Sequence, residues 1–478
     1  MTGRKKQFKE PGIRSTFMML LILLGMCANA QDQPVLNMTE AITRVLQENP
    51  NLASAEASLE ASEANIALAR ANYLPGLNIL GSISQSKTAT FSQTAGIIPS
   101  SSALAGASLS QMIYNEKQVA NIKIQKYLFA SEEEQYRNTR YAIISKAGMS
   151  YIALLFAEDL LAVQQDNISI TEQNLNASQD RQEVGSTNMQ EVLRWETQLY
   201  SDHQTIESQK AAVIISRGSL NQLLNVPIEA RENLEKLTLE NDGFIFSSDV
   251  VAASASDEKL ASVIRDYLVE LGLANSPAIA SMEQQLLAQN RNLEANKRWA
   301  IPNFNASASA DAKFDLSGEE TENSDLGFWK VGLTMFIPLV DGGANVNKIK
   351  QAKLQMSALE LQMNDIQTSL EQAIRASVAV AIGDFNNISF AEAQARAAHK
   401  NYELVNDSYR VGESSLLDLL DAQNQRLIAD ISSRVALYTF FNDLLAVEQA
   451  IGYFPFLEPE DEVDSIIREL ENSLLLTQ

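Results

Sequence analysis

Several residue types on which enzymes and small secreted domains depend are scarce in this chain. Its 478 residues include one cysteine, two histidines, 11 prolines and 20 glycines. The shortage of proline and glycine excludes collagen-like and linker-rich material. Basic residues are also in deficit, with 37 Lys and Arg against 60 Asp and Glu. This balance argues against nucleic acid as a partner, because nucleic-acid affinity comes mainly from Lys and Arg at phosphates.

Catalytic motifs are missing as well. The sequence contains no Gly-x-Ser-x-Gly, no His-Glu-x-x-His, no phosphate-binding glycine loop and no cysteine cluster. His203 and His399 stand alone in helical segments and are predicted to be solvated or packed rather than catalytic. We therefore expect a protein that is not an enzyme and that uses no cofactor and no resident metal.

The N-terminus has the pattern of an export signal. Basic residues precede an apolar run, Phe17–Gly25, and a small-residue cleavage site follows at Ala28–Ala30. This predicts a signal peptide over 1–30 and a mature chain from Gln31. Two alternatives are a membrane anchor, for which the apolar run is too short, and lipidation of Cys27, which bulky Met26 disfavours.

Beyond this leader, no predominantly apolar run of about 18 residues is free of charge. The best candidate, residues 147–163, carries Glu158 and Asp159 near its end. If the mature chain crosses a membrane, it is therefore predicted to do so as β-strands.

One short sequence motif occurs twice in the chain. Val184–Gly185 and Val411–Gly412 lie 227 residues apart. The same offset relates further pairs: Asn49 and Ser276, Pro50 and Pro277, Pro75 and Pro302, Glu191 and Asp418, Gln198 and Gln425, Gln222 and Gln449. One unit is thus built twice, with repeat one at about 31–226 and repeat two at about 263–453. The remaining segments, 227–262 and 454–478, are predicted to form a girdle around the helices.

Each repeat contains a long tract without proline, over 100–226 and 339–454. The Val-Gly pair is its obvious interruption, since glycine permits the positive φ of a turn between helices. The first helix, from Asn115 to Val184, would measure about 105 Å. Apolar residues in its counterpart recur at steps of four and three, which predicts coiled-coil-like packing. Each repeat is therefore predicted to form a long helical hairpin.

Four segments alternate apolar and polar residues: Leu77–Ile83, Ala103–Leu109, Phe304–Phe314 and Val331–Ile337. They have about the length of tilted membrane-spanning strands. The alternative is two soluble β-hairpins, each with one solvent-exposed face. Four strands leave two open edges, which hydrocarbon does not tolerate. In a membrane, several chains would share one barrel, with eight strands from a dimer or twelve from a trimer.

The layout resembles the TolC family of outer-membrane efflux proteins over essentially the whole mature chain. The likeness is carried by Leu74–Gly76, by Ile337–Gly343, by the two Val-Gly tips and above all by "YRVGESSLLDLLDAQNQRL" at Tyr409–Leu427. It implies a homotrimer with a shared twelve-stranded β-barrel in the Gram-negative outer membrane and a helical tunnel through the periplasm. Its implied partners are a periplasmic adaptor and an inner-membrane pump of RND or ABC type, in efflux or type I secretion.

The resemblance also assigns the two tips. They match the adaptor-docking turns of the family and comprise Val184, Gly185, Ser186, Thr187, Val411, Gly412, Glu413 and Ser414. The alternative is that these residues only cap the helices.

Asp418 and Asp421 lie three residues apart and hence on one helix face. They match the family's pore-constriction aspartates, which in a trimer form two rings of carboxylates that raise one another's pKa and attract cations. A solvated acidic face is the alternative. Nearby leucines are expected to pack and so to fix where the aspartates point: Leu416, Leu417, Leu419 and Leu420.

In the family, polar links between the hairpins hold the mouth closed. Those positions are Tyr409 and Glu191 here, with glutamate where aspartate is usual. A second link uses a basic residue two positions after the second glycine, where this chain has Ser414. That ion pair is therefore missing or moved. The rival to the whole interpretation is a soluble periplasmic coiled-coil scaffold, which leaves the alternating segments unexplained.

Overall fold

The computed structural model describes residues 35–85, 101–239, 244, 246–316, 326–455, 458 and 463. The predicted signal peptide and Cys27 lie outside these residues, as does most of 454–478. The chain is mainly helical, with one four-stranded antiparallel sheet in the part that the structure describes. The prediction of a mainly α protein with a β portion is confirmed.

The elements follow one another in two similar series. The first comprises α1 Met38–Glu48, α2 Pro50–Ala71, β1 Gly76–Gln85, β2 Ser101–Tyr114, α3 Glu116–Glu183 and α4 Met189–Leu223. The second comprises α5 Ser248–Ser256, α6 Glu258–Asn275, α7 Pro277–Lys297, β3 Asn303–Asp315, β4 Leu326–Phe336, α8 Ala344–Arg410 and α9 Leu416–Ile451.

Matched residues begin the matched helices. Pro50 and Pro277 occupy the first turn of α2 and α7, where a missing N–H costs nothing and φ is already suitable. The preceding residues cap the helices. The Oδ1 atom of Asn49 accepts from Asn51 N–H at 2.9 Å, and Ser276 Oγ accepts from Ile279 N–H at 3.4 Å. These caps explain why the Asn-Pro and Ser-Pro pairs recur at equivalent places.

The long helices α3 and α8 contain 68 and 67 residues, which corresponds to about 100 Å each. Each continues through a short turn into an antiparallel partner, α4 or α9. We call α3 with α4 hairpin one, and α8 with α9 hairpin two. Because the strands join the N-terminal ends of α3 and α8, the sheet and the hairpin turns lie about 100 Å apart.

By length and composition alone, α3 would pass as a membrane-spanning helix. However, its most apolar part lies in the main hydrophobic core. Tyr151, Ile152 and Leu154 are at most 1% exposed and pack with residues of α1, α6, α8 and α9. Its apolarity is therefore explained by packing halfway along the hairpins.

The sheet has the order β1-β2-β3-β4, so that β1 and β4 are both edges. Its register puts Leu77, Leu109, Ala308 and Val331 in one row across the sheet. Residues directly paired across antiparallel strands share a face, so one face is mainly apolar. The strand β4 ends one residue before the predicted Ile337, because β3 begins opposite Phe336 and Pro338 has no N–H to donate.

A buried ion pair fixes the sheet on the helices. Glu116 begins α3 directly after β2, and its carboxylate accepts from Arg291 Nη2 at 2.9 Å and from Tyr114 Oη at 2.7 Å. The side chains of Glu116 and Arg291 are 7% and 9% exposed. Since breaking a buried pair leaves an uncompensated charge, this junction resists bending between strand and helix.

The predicted girdle segment 227–262 contacts the middle of the hairpins. Leu36 and Leu234 form a parallel bridge, and Tyr151 Oη donates to the carbonyl oxygens of Leu36 and Glu235 at 2.8 and 2.7 Å. Lys236 Nζ lies 2.8 Å from Asp159 Oδ1 on α3. The main core therefore sits midway between the sheet and the turns.

Candidate gating and docking site at the hairpin tips

Both Val-Gly pairs form the turns of the hairpins. Gly185 and Gly412 have φ of 73° and 83°, a left-handed conformation that a residue with a Cβ adopts only with strain. Ser186 N–H donates to the carbonyl oxygen of Arg181 at 2.8 Å, as Glu413 N–H does to that of Ser408. The two turns thus have the same capped form.

The apolar side chains at these turns point into solvent. Val184 is 79% exposed and Val411 is 72% exposed, and no side chain of either turn is buried. Each turn thus presents one exposed apolar side chain.

A small apolar cluster holds the two hairpins together just above the turns. We call it the tip cluster; its buried members are Leu175, Val192, Trp195, Tyr402, Tyr409, Leu419 and Ala422. They come from all four long helices, and Trp195 and Leu419 are fully buried. The cluster therefore places the end of α8 against the start of α4.

At the edge of this cluster the structure brings Tyr409 and Glu191 together. Tyr409 Oη donates to Glu191 Oε1. The other carboxylate oxygen accepts from Thr187 Oγ1 at 2.5 Å, and Ser178 Oγ lies 3.3 Å from Oε1. The glutamate thus joins hairpin two to both helices of hairpin one.

Sequence reasoning missed a fifth participant, Arg181 in the last turn of α3. Its Nη2 atom lies 2.7 Å from Glu191 Oε1 and 2.5 Å from Tyr409 Oη, and its Cζ atom lies 4.4 Å from the centroid of the Tyr409 ring. A cation in the last turn of a helix is a recognised pattern, but only the fold brings it to Tyr409.

These contacts shift the pKa values of Glu191 and Tyr409 in opposite directions. Burial alone would raise the pKa of Glu191, but hydrogen bonds from Thr187 and Tyr409 and the charge of Arg181 outweigh it and hold this pKa below its ordinary value. Burial, together with the hydrogen bond to Glu191, raises the pKa of Tyr409 to about 12. The link is therefore a neutral tyrosine on an ionised glutamate.

Asp418 and Asp421 are both exposed at the start of α9. Asp418 Oδ2 accepts from Ser415 N–H at 2.9 Å and lies 2.7 Å from Ser415 Oγ, which in turn accepts from Asp418 N–H at 3.2 Å. This capping box lowers the pKa of Asp418. Within one chain, Ser415 therefore stabilises the ionised carboxylate of Asp418; the raised pKa expected of carboxylate rings concerns a trimer and stays a prediction.

The leucines around the aspartates divide between two environments. Leu419 is fully buried, and Leu416 and Leu420 pack against the tip cluster. Leu417 is 59% exposed, so the expectation that it packs is wrong. It is one residue out of phase with the buried stripe of the helix, and it lines a small groove with Asn188 on the neighbouring tip.

Of the two histidines, His203 is exposed, whereas His399 is not isolated as expected. His399 Nε2 lies 2.6 Å from Asp430 Oδ1, because α8 and α9 run antiparallel and bring these residues to one level. Within the described ranges, no three His, Cys, Asp or Glu side chains are placed to hold a metal ion.

The fold and tips define a class of protein: two fused repeats of a strand pair and a long helical hairpin, with an exposed apolar sheet face at one end. Residues 41–226 and 268–452 match the model of the outer membrane efflux protein family, and the chain belongs to this family. It is a passive outer-membrane efflux channel of the kind that works in tripartite systems, and not an enzyme. The soluble scaffold alternative loses its support.

Similar proteins agree with this assignment. The chain is 23% identical over 416 residues to the outer membrane efflux protein BepC of Brucella suis, covering 86% of this chain and 84% of BepC. It is 22% identical over 442 residues to the outer membrane protein TolC of Escherichia coli, covering 91% of this chain and 86% of TolC.

Solved structures show the same fold. The Campylobacter jejuni outer-membrane channel CmeC superimposes with a TM-score of 0.69 at 19% identity, covering 91% of this chain and 89% of CmeC. The outer membrane protein VceC of Vibrio cholerae gives 0.69 at 16% identity, covering 87% and 96%.

The Tyr409 pKa is directly testable. On a pH titration followed by tyrosinate absorbance, the difference between the wild type and Tyr409→Phe should show a group that ionises near 12, about two pH units above tyrosine in a model peptide. In Glu191→Gln the pKa of Tyr409 should fall, because a neutral amide repels the tyrosinate less than a carboxylate does. A Tyr409 difference that titrates near 10, as tyrosine does in a model peptide, would contradict the described link.

Proposed function

We propose that three copies of this chain form an outer-membrane exit duct, with a shared twelve-stranded barrel in lipid and a helical tunnel below it. The observation that carries this proposal is a four-stranded sheet with two unpaired edges and one exposed apolar face. The sheet needs other copies both to satisfy its backbone and to close a pore.

The apolar face has the character of a lipid contact. Ile79, Trp329 and Val331 lie in its rows, and they are 87%, 79% and 71% exposed. Such a patch is costly in water. Phe304 and Phe314, at opposite ends of β3, occupy the positions of the aromatic girdles of membrane barrels.

The opposite face supports three copies over two. It carries Asp311, Lys313 and Lys330 in adjoining rows, together with serines and asparagines, and this face would line the barrel. An eight-stranded barrel has room for little more than its own side chains. Twelve strands leave a water-filled lumen for these charged groups.

Below the barrel, we propose that the six hairpins form a tunnel about 100 Å long through the periplasm. The turns then lie at its far end, where a periplasmic adaptor and an inner-membrane pump dock. Exposed Val184 and Val411, beside two small turns, are suited to a second helical hairpin that approaches closely.

Asp418 and Asp421 would form two carboxylate rings at the narrowed mouth. Both are exposed within one chain, and the capping box orients Asp418 at the first turn of α9. In the trimer these rings attract cations. The contact between Tyr409 and Glu191 would hold hairpin two inward in the closed state.

The first prediction concerns assembly. Purified from outer membranes in detergent, the protein should have three times the mass of the processed chain, and salt alone should not extract it. Cysteine pairs joining the edges β1 and β4, with Ile79→Cys combined in turn with Trp329→Cys, Val331→Cys or Leu333→Cys, should give a covalent trimer in at least one register.

Ile79→Cys alone is the matched control and should give no covalent trimer. A single-chain mass, or release by salt, would rule out the shared barrel. A mass of two chains would instead show an eight-stranded assembly.

The second prediction concerns the aspartates. Asp418→Asn combined with Asp421→Asn keeps the hydrogen-bonding shape of both residues but removes the charge, so we expect a several-fold loss of cation selectivity and weaker block by multivalent cations in planar lipid bilayers. Asp407→Asn, exposed on α8 near the tip, is the control. If the double variant is as cation-selective as this control, the aspartates do not line the constriction.

The third prediction concerns docking. Bulky residues at Gly185 and Gly412 would strain the turns themselves by about 1–3 kcal/mol each, so Val184→Asp with Val411→Asp is the sharper test. This variant should assemble normally but lose the adaptor expressed together with it in co-purification. Thr205→Asp, exposed higher on α4, should retain the adaptor. Retention by the tip variant would count against these turns as the docking surface.

A further inference from the structure

Hairpin one and hairpin two are joined near their turns through Tyr409, which contacts two charged groups of hairpin one, Arg181 and Glu191. Arg181 Nη2 lies 2.7 Å from Glu191 Oε1 within hairpin one and 2.5 Å from Tyr409 Oη of hairpin two. The next polar link above it is neutral, from Asn174 Nδ2 to Gln423 Oε1 at 3.2 Å. Arg181 is therefore the cation through which the two tips interact.

The resemblance to the TolC family predicts a basic residue on the second tip. This chain has uncharged Ser414 at that position. The charge has a different origin in this chain. Arg181 belongs to the first repeat, and its counterpart in the second repeat, 227 residues later, is Ser408. The arginine therefore reaches from hairpin one to hairpin two, the reverse of the expected direction.

We propose that Arg181 is a positioning residue of the channel gate, whose guanidinium holds Tyr409 and with it the end of α8 in the closed position. This rests on the proposed function of the tips as the mouth of the channel. The planar group binds in two ways at once: it donates to the Tyr409 oxygen, and its Cζ atom lies 4.4 Å from the ring centroid. Lysine cannot reproduce both contacts.

The surroundings favour a strong interaction. The side chains of Arg181 and Glu191 are 30% and 15% exposed, and Tyr409 is 8% exposed. Charge-assisted hydrogen bonds and cation–ring contacts gain strength when water is partly excluded. Movement of α8 away from hairpin one would leave Arg181 paired with Glu191 but would break both contacts to Tyr409.

The test is single-channel recording in planar lipid bilayers, with the full trimer. Arg181→Met keeps an unbranched aliphatic stem and the carbonyl that caps the first turn, but it removes the guanidinium and its charge. We expect the ratio of open to closed time to rise about tenfold, equivalent to about 1.4 kcal/mol. Arg181→Lys should give a smaller rise, and Arg410→Met, which removes an exposed charge beside Tyr409, should give none.

A double variant decides whether the effect passes through Tyr409. Arg181→Met combined with Tyr409→Phe should open by clearly less than the two single effects added together, because both changes remove the hydrogen bond between Arg181 and Tyr409. Full additivity would overturn the proposal, as would Arg181→Met behaving like Arg410→Met. If Arg181→Met does not assemble, Arg181→Lys is the deciding variant. A ratio of open to closed time equal to that of the wild type overturns the proposal, and a higher ratio supports it.

Failure of this inference is distinguishable from failure of the proposed function. If the wild type is not a trimer or forms no channel, the proposed function fails before any variant is compared. If conducting trimers form and Arg181→Met leaves their gating unchanged, only the role of Arg181 is lost.

Discussion

Unpaired backbone is the constraint on which the rest of the structure depends. In the part of the chain that the structure describes, β1 and β4 are the outer strands of the sheet, and they lie beside a face that carries exposed Trp329 and Val331. Water would satisfy the edges but not the face, and lipid would satisfy the face but not the edges. A closed ring of several copies would satisfy both, and the proposed trimer meets this condition.

The length of the helices sets the second feature of the molecule. A hairpin about 100 Å long cannot be stabilised by its turn alone, and the main core lies midway, where α1, α6 and the segment near Leu234 pack against α3 and α9. The turns are held by the much smaller tip cluster. Because few residues are buried there, we expect this end to be the part that is most easily rearranged.

The two repeats have diverged most clearly at the tips. Glu191 and Asp418 occupy equivalent positions, three residues after the N-caps Asn188 and Ser415. The Asp418 carboxylate closes a capping box on its own helix, whereas the Glu191 carboxylate turns toward Thr187, Arg181 and Tyr409. The two equivalent acids thus differ in their contacts, since one caps its own helix and the other joins the two hairpins.

Sequence alone determined the duplicated architecture, because proline, glycine and hydrophobic period act locally and leave a direct record in the order of residues. The long helices, the Val-Gly turns and the four alternating segments were all predictable on these grounds. Which side chains meet across elements was not. Arg181 is 228 residues from Tyr409, His399 contacts Asp430 because α8 and α9 pack antiparallel, and Leu417 faces solvent although nearby Leu419 is buried. Such contacts depend on how the long helices pack against one another, and that arrangement exists only in the folded chain.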